Sequence, residues 1–90
     1  MKIFKVTLPL GGNPTVFKLE LPIGAKIISV QVQNLSPCMW YLFDESVSTQ
    51  KKRNFRIVGT GTKFDETQDM KHLGSYILEK SGSVFHLFEM

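Results

Sequence analysis

Apolar and polar residues alternate one by one along most of this chain, which is the period of a β-strand with one buried face. The clearest case is KIISVQVQ at residues 26–33, where Ile28, Val30 and Val32 fall on one face and polar side chains on the other. The same reasoning predicts strands at 3–8, 15–21, 26–33, 38–43, 55–58, 74–79 and 84–89. Residues 63–72 carry no convincing period. We therefore predict an all-β fold of about seven short strands.

Turn-forming residues separate these strands and indicate where the chain reverses. Gly11-Gly12-Asn13-Pro14 predicts a hairpin between the first two strands, and Lys80-Ser81-Gly82-Ser83 predicts another between the last two. The run CMWYLF at 38–43 is apolar throughout and predicts a central strand covered on both faces, whereas the polar segment 46–54 predicts an exposed loop. Short strands with turns about every eight to twelve residues are typical of a small antiparallel β-sandwich or a partly open barrel. Periodicity alone does not choose between the two.

Composition is that of a single folded domain. The 90 residues are 42% apolar, and we assign one domain to residues 1–90. The net charge of +3 permits anionic partners without requiring them. No apolar run approaches the roughly 20 residues of a membrane-spanning helix, and Lys5 interrupts the apolar N-terminus, so we expect neither a membrane anchor nor a signal peptide. The single cysteine, Cys38, fits a reducing cytoplasm.

The stretch FRIVGTGTKFDE at 55–66 is the segment that most resembles a ligand-binding loop. A Walker loop, however, has its lysine directly after the second glycine and is followed by a helix, and neither holds here. A dinucleotide fingerprint would need a glycine where Phe64 stands. The glycines are most simply explained by a strand that ends in a turn or bulge. A glycine-opened rim beside Arg56 and Lys63 is left as a candidate ligand site.

Aromatic and basic residues in the middle of the chain suggest a nucleic-acid surface. Trp40, Tyr41 and Phe43 resemble the base-stacking strands of oligonucleotide-binding barrels, and the basic run at 51–53 lies nearby with Arg56. Core packing is the usual role of aromatic residues in so apolar a run, and three basic residues are common in a solvated turn. Weak binding of single-stranded nucleic acid is therefore only a second alternative.

The residues show no catalytic or metal-binding arrangement. Cys38 opens a buried run, where a packed and unreactive thiol is expected. His72 and His86 with one cysteine lack any metal-ligand spacing. His86 alternates with Val84 and Phe88, as a half-buried strand histidine does. The carboxylates lie at strand ends and define no acid–base pair. We expect no enzymatic activity, no cofactor and no metal.

Five segments taken together resemble a known group of proteins. They are MKIFKVTL, LPIGAKIISVQVQN, PCMWYLFD, FRIVGTGT and VFHLFE. In this order, over nearly the whole chain, they are similar to a family of small proteins of unknown function from tailed bacteriophages and their prophages. The resemblance implies a phage-encoded protein in the host cytoplasm and supplies no catalytic residues. Members vary at 46–54 and 63–72.

The residues and the resemblance together predict a non-enzymatic binding or interaction module that forms homo-oligomers. We expect its partner to be a small anionic ligand or a host protein. The first alternative is a virion or assembly component. The candidate ligand-binding residues are Arg56, Gly59, Thr60, Gly61, Thr62 and Lys63, with Trp40, Tyr41 and His86 as the adjoining surface.

Overall fold

Strands account for the regular secondary structure in the part of the chain that the computed structural model describes, which is residues 1–10, 15–65 and 69–90. The strands are β1 (Lys2–Thr7), β2 (Thr15–Pro22), β3 (Lys26–Gln33), β4 (Ser36–Phe43), β5 (Gln50–Gly59), β6 (Lys71–Leu78) and β7 (Ser83–Glu89). They form two antiparallel sheets in a sandwich-like arrangement. Sheet A has the order β1-β4-β3, and sheet B has the order β2-β5-β7-β6. The predicted all-β fold of seven strands is confirmed.

The apolar faces of both sheets meet in one core. Met39 of sheet A is completely buried, as are Phe55 and Leu87 of sheet B. Phe17 and Phe55, which are opposite each other on β2 and β5, stack with ring centroids 5.4 Å apart. The other buried members of the core are Leu8, Leu21, Ala25, Phe43, Ile57 and Tyr76. Burial stabilises the fold by about 1.5–3 kcal/mol for each large apolar side chain, so these positions define the inner faces of β2, β4, β5, β6 and β7.

The two sheets approach most closely where β3, at the edge of sheet A, runs beside β6, at the edge of sheet B. A Cβ atom placed on Gly74 would lie 2.9 Å from both Cβ and Cγ2 of Val30. Only glycine permits this approach of the two backbones. Both strands are irregular nearby, with register shifts between Ile27 and Ser29 in β3 and between His72 and Gly74 in β6. Such bulges bend a strand, and here they bring the two edges together.

The predicted hairpin between the first two strands is wrong. β1 pairs with β4 and β2 pairs with β5, so the two strands lie in different sheets. The turn residues proposed for that hairpin, 11–14, lie outside the described residues. The hairpin predicted around 80–83 is confirmed, because β6 pairs with β7. Alternation assigns the faces of a strand but not its partner, since any strand with the same period can pair with it.

Two strands, β5 and β6, begin three or more residues earlier than predicted. β5 starts at Gln50, so the basic run at 51–53 belongs to a strand and not to the loop predicted for 46–54. This part of β5 pairs with the end of β2. β6 starts at Lys71, three residues before the predicted start at 74. Backbone pairing holds the polar extension of β5 in the sheet, whereas Leu73 in the extension of β6 packs against the core.

β4 is the central strand of sheet A, as predicted, and its outer face is less completely covered than its inner face. Met39 and Phe43 on the inner face are buried, whereas on the outer face Cys38 is buried and Trp40 is half-buried. The predicted cover on both faces is therefore incomplete at Trp40. Trp40 lines an open depression of about 300 Å³ there, together with Ile3 and Ile28.

Candidate ligand-binding site

The glycines of the candidate rim form a tight turn at the end of β5. The Thr62 N–H donates to the Gly59 carbonyl oxygen over 3.1 Å, and Gly61 has a φ of 86°. A positive φ at the third position of a four-residue turn is characteristic of type II, and glycine adopts it without strain. The Thr60 N–H donates to the Val84 carbonyl oxygen over 3.0 Å and ties the turn to β7. The strand that ends in a turn at GTGT is confirmed.

Arg56 lies next to this turn, on the outer face of sheet B. Its cross-strand neighbours are Val16 of β2 and Phe88 of β7. Arg56 Nη1 donates to the Asp65 carbonyl oxygen over 2.8 Å and lies 3.9 Å from Met70 Sδ. These contacts hold the chain that follows β5 and the chain that precedes β6 against the sheet.

An open pocket of about 640 Å³, which we call the Arg56 pocket, lies between this arginine and the segment that it holds. Its walls are formed by Arg56, Thr62, Lys63, Phe64 and Asp65. The Arg56 Nε atom is buried and has no hydrogen-bond partner within the described residues. A buried charged donor without an acceptor is costly. Two cationic side chains against one carboxylate favour an anion in this pocket.

Phe64 forms the apolar side of the Arg56 pocket and packs with other rings outside it. The rings of Phe64 and Phe88 have centroids 5.9 Å apart, and His72 meets Phe88 edge-on at 5.4 Å. Phe64 retains 40% of its exposure. The pocket therefore offers a cationic side and an exposed ring that can pack against a flat or apolar group.

A chain of hydrogen bonds crosses the outer face of sheet B beside these rings. His86 Nε2 lies 2.7 Å from Thr60 Oγ1, and His86 Nδ1 lies 2.7 Å from Ser75 Oγ. Ser75 Oγ lies 3.1 Å from His72 Nε2. With both imidazoles neutral, every contact has one donor and one acceptor, and all of the bonds can run in either direction along the chain. The bonds fix both rings and connect the turn after β5 to β6.

The sequence analysis identified only part of this series of hydrogen bonds. His86 is a half-buried strand histidine, as predicted, but Ser75 and His72 were not recognised. The register of the last hairpin, which places Ser75 opposite His86, is the signal that could have identified Ser75. His72 lay outside the predicted strand 74–79, so its neighbours were not deducible.

The structure does not bring Trp40 and Tyr41 to the Arg56 pocket. Both belong to β4 in sheet A, whereas the pocket is on the outer face of sheet B. Tyr41 faces inward, with its ring centroid 6.4 Å from that of Phe4 and 5.6 Å from that of Phe43. Trp40 faces outward on the opposite side of the sandwich. Of the predicted residues, Arg56, Thr62 and Lys63 line the pocket, together with Phe64 and Asp65. Residues 59–61 form the turn beside it, and His86 contacts that turn through Thr60.

The basic run at 51–53 divides into one internal and two exposed side chains. Arg53 donates from Nε to Glu89 Oε2 over 2.6 Å, from Nη2 to Oε1 over 2.7 Å, and from Nη1 to the Ala25 carbonyl oxygen over 2.6 Å. The hydrogen bonds to Glu89 stabilise the charged guanidinium and raise the pKa of Arg53. Because Ala25 directly precedes β3 of sheet A, this hydrogen bond connects Arg53 of sheet B to sheet A. Lys51 and Lys52 line an open pocket of about 490 Å³ beside it.

Cys38 is buried, as predicted. Its Sγ donates to the Ser36 carbonyl oxygen at 3.5 Å and lies 4.0 Å from Thr7 Oγ1. Within residues 1–10, 15–65 and 69–90, no group of three or more His, Cys, Asp and Glu side chains is arranged to hold a metal ion.

The chain belongs to the family described as Domain of unknown function (DUF7352), whose model matches residues 1–90. No curated protein and no solved structure matches it. In the described part of the chain, no helix has the length and apolar character needed to cross a membrane.

Proposed function

We propose that this protein is a non-enzymatic binding module that takes up a small anionic ligand in the Arg56 pocket. The observation that carries the proposal is that two cationic side chains, Arg56 and Lys63, line one pocket that contains a single carboxylate, Asp65. The volume of about 640 Å³ falls in the range of small-molecule sites, roughly 300–1,000 Å³.

The remaining walls restrict the chemistry of the ligand. An anionic group belongs on the side of Arg56 and Lys63, because guanidinium and ammonium groups bind phosphate and carboxylate oxygens. A flat or apolar part packs against Phe64. The Asp65 carboxylate disfavours a highly charged polyanion and favours a ligand that also carries a hydroxyl or amino group to donate to it. Nucleotides, cyclic dinucleotides and small hydroxy acids meet this description.

A thermal-shift screen tests the proposal, with inorganic phosphate, nucleoside monophosphates, cyclic dinucleotides and hydroxy acids as probes. A ligand present at about 100 times its Kd stabilises the fold by about 2.7 kcal/mol, which raises Tm by roughly 15 °C for a domain of this size. Isothermal titration calorimetry then gives Kd for each probe that shifts Tm. The affinity should fall as salt is raised, because the pocket is open to solvent.

Two lysine variants separate a pocket effect from a general charge effect. Lys63→Gln removes one of the pocket cations from an exposed position, and we expect about a tenfold weaker Kd, or about 1.4 kcal/mol. Lys80→Gln removes the same charge from the turn between β6 and β7 and should leave Kd unchanged. The proposal fails if no probe shifts Tm, or if Lys63→Gln binds as tightly as the parent protein.

Phage origin, a host-cytoplasmic location and a protein partner belong to the same proposal. The five phage-like segments support the origin, and the apolar surface around Trp40, Ile3 and Ile28 supports a protein partner. A virion or assembly component is the second candidate, favoured by the same apolar surface. Mass spectrometry of purified particles distinguishes them, because a structural component is present in stoichiometric amounts and a ligand-binding or host-directed protein is absent.

A further inference from the structure

Strand β1 is more exposed than its sequence leads one to expect. Ile3 is 54% exposed on the outer face of sheet A, and Phe4 is 50% exposed on the inner face. β4 pairs with one side of β1, and sheet A ends on the other side. An edge strand with apolar side chains on both faces is a template for another strand.

The backbone groups at this free edge can be assigned from one hydrogen bond. The Leu8 N–H donates to the Pro37 carbonyl oxygen over 2.8 Å, in register with the ladder between β1 and β4. In an antiparallel pair, alternate residues direct both backbone groups towards the partner strand. Even-numbered residues of β1 therefore face β4, and Ile3, Lys5 and Thr7 present their N–H and C=O groups to the free edge.

The side chains of the two lysines of β1 are directed away from the free edge and do not hinder its pairing with another strand. Lysine on an edge strand normally discourages pairing with another chain. Lys5 Nζ donates to Gln33 Oε1 over 2.6 Å, so its side chain crosses β4 towards β3 and away from the free edge. Lys2 Nζ lies 3.2 Å from Glu45 Oε2, beyond the end of β4. Both ammonium groups are held by side chains of the same molecule.

The exposed surface of the chain exceeds that of a typical monomer. Its accessible area is 5932 Å² for a mass of 10.2 kDa. Folded monomers of this mass expose about 5,300 Å². The excess of roughly 600 Å² is comparable to the roughly 800 Å² that one partner loses in a standard interface.

We propose that β1 pairs with β1 of a second copy of this chain, antiparallel and about a two-fold axis at Phe4. The ladder then joins two copies of sheet A into one continuous sheet, in which β1 of one molecule follows β1 of the other. Ile3 of each molecule exchanges N–H···O=C bonds with Lys5 of the second copy. The two Phe4 rings meet on the inner face, at a position without ladder hydrogen bonds where the backbones are closest.

The side chains favour this register over the one with its axis at Lys5 and over a shift by one residue. With the axis at Phe4, each lysine of β1 lies opposite an apolar residue, Lys5 opposite Ile3 and Lys2 opposite Val6. With the axis at Lys5, two ammonium groups would lie opposite each other, which is unfavourable. A shift by one residue would place the inner face of one sheet beside the outer face of the other.

The free edge of β1 is better paired with β1 of a second copy than with β2, at the free edge of sheet B, of another molecule. β1 paired with β1 is an isologous contact, which closes after two molecules, whereas β1 paired with β2 of another molecule leaves free edges and continues into a fibre. The exposed ring of Phe4 and the partly buried ring of Tyr41 gain cover from their symmetry mates in the closed arrangement, whereas Phe43, 4.8 Å from Phe4, is already buried.

Sedimentation velocity and light scattering on the full chain test the proposal. The parent protein should have twice the chain mass of 10.2 kDa at micromolar concentration. Lys5→Pro removes an N–H that faces the free edge and leaves the ladder to β4 intact, because proline is tolerated where an edge strand faces outward. We expect this variant to be monomeric, with an unchanged circular-dichroism spectrum. Val16→Lys, at an exposed position on β2, is the matched control and should remain dimeric.

Cysteine cross-linking tests the register separately. Phe4→Cys places two thiols opposite each other on the axis and should give a disulfide-linked dimer under mild oxidation, whereas Lys5→Cys should not. A monomeric parent protein at all concentrations, or a Lys5→Pro variant that is folded and still dimeric, overturns the proposal. Cross-linking by Lys5→Cys in place of Phe4→Cys overturns the assigned axis.

Discussion

β1 and β6 are both edge strands with the same alternation, yet their unpaired sides differ in the structure. β3 runs beside β6, and Tyr76 of β6 is only 6% exposed. Among the described residues β1 has no comparable neighbour, and Phe4 remains 50% exposed although it faces inward. The difference comes from the approach of the two sheets at Gly74, which closes one side of the sandwich and leaves the other open. An inward-facing aromatic residue is thus not necessarily a buried one.

Truncation of one aromatic residue on each edge strand measures this difference most directly. Tyr76→Ala should lower the free energy of unfolding by about 3–4 kcal/mol, because it leaves a cavity in the core. Phe4→Ala should cost about 1 kcal/mol, because half of the ring is already in contact with water. Urea denaturation at a concentration where the chain is monomeric gives both values. Equal losses would show that the β1 side is as well packed as the β6 side.

Gly74 should be the position that keeps the β6 side closed. Gly74→Val introduces a Cβ where only 2.9 Å separates it from Val30, and we expect a loss of about 2 kcal/mol through forced displacement of β3 from β6. In a Val30→Ala background the same substitution should cost about half as much, because the opposing methyl groups are gone. The four proteins of this cycle are compared by urea denaturation. If the losses of the two single variants simply add in the double variant, the contact between residues 74 and 30 is not the source of the strain.

Tyr76 also predicts a pH dependence that β1 does not share. Burial raises the pKa of Tyr76 from 10.0 to about 12. The unfolded chain therefore loses the phenolic proton at a lower pH than the folded chain. This contribution to stability is complete below about pH 10 and is lost as the pH rises towards 12. Tyr76→Phe should remove this part of the decrease in stability at alkaline pH. At pH 7 it should change the free energy of unfolding by less than about 1 kcal/mol. Unfolding midpoints of both proteins, measured from pH 8 to pH 12, test this prediction. The same decrease of the midpoint with pH in both proteins would contradict it.

The sequence was sufficient to predict the strands and most of their faces, but not which edges meet. Ile28 was predicted on the inner face with Val30 and Val32, which is wrong: the irregularity between Ile27 and Ser29 leaves Ile28 46% exposed on the outer face and places Ile27 against the core. Alternation in KIISVQVQ and the KSGS turn led to correct strands and a correct last hairpin. The same alternation led to a wrong hairpin for β1 and β2, because period two carries no information about the partner strand. The start of β5 was missed because its polar residues are held by pairing with β2 rather than by burial. Gly74 looked like an ordinary strand start, since only the approach of Val30 explains it.

The candidate site was predictable to the extent that it is local in sequence. Arg56 and residues 59–63 are neighbours along the chain, and the turn chemistry of Gly61 was readable. Trp40 and Tyr41 were placed beside them because strand order was unknown, and they lie in the other sheet. The chain from Thr60 through His86 and Ser75 to His72 joins three segments, so its recognition required the register of β6 and β7.

The placement of β1 and β2 in different sheets also affects how quickly the chain can fold. Of the five ladders, those between β3 and β4 and between β6 and β7 join consecutive strands and can form within microseconds. The partners of β1 and β2 are each separated from them by roughly thirty residues or more of sequence, so loop closure must precede any gain from contact. Folding is therefore expected on the millisecond-to-second scale of β-proteins with non-local pairing. Until β4 and β5 are in place, the first third of the chain has no partner, and a newly made molecule is most prone to aggregation during that interval.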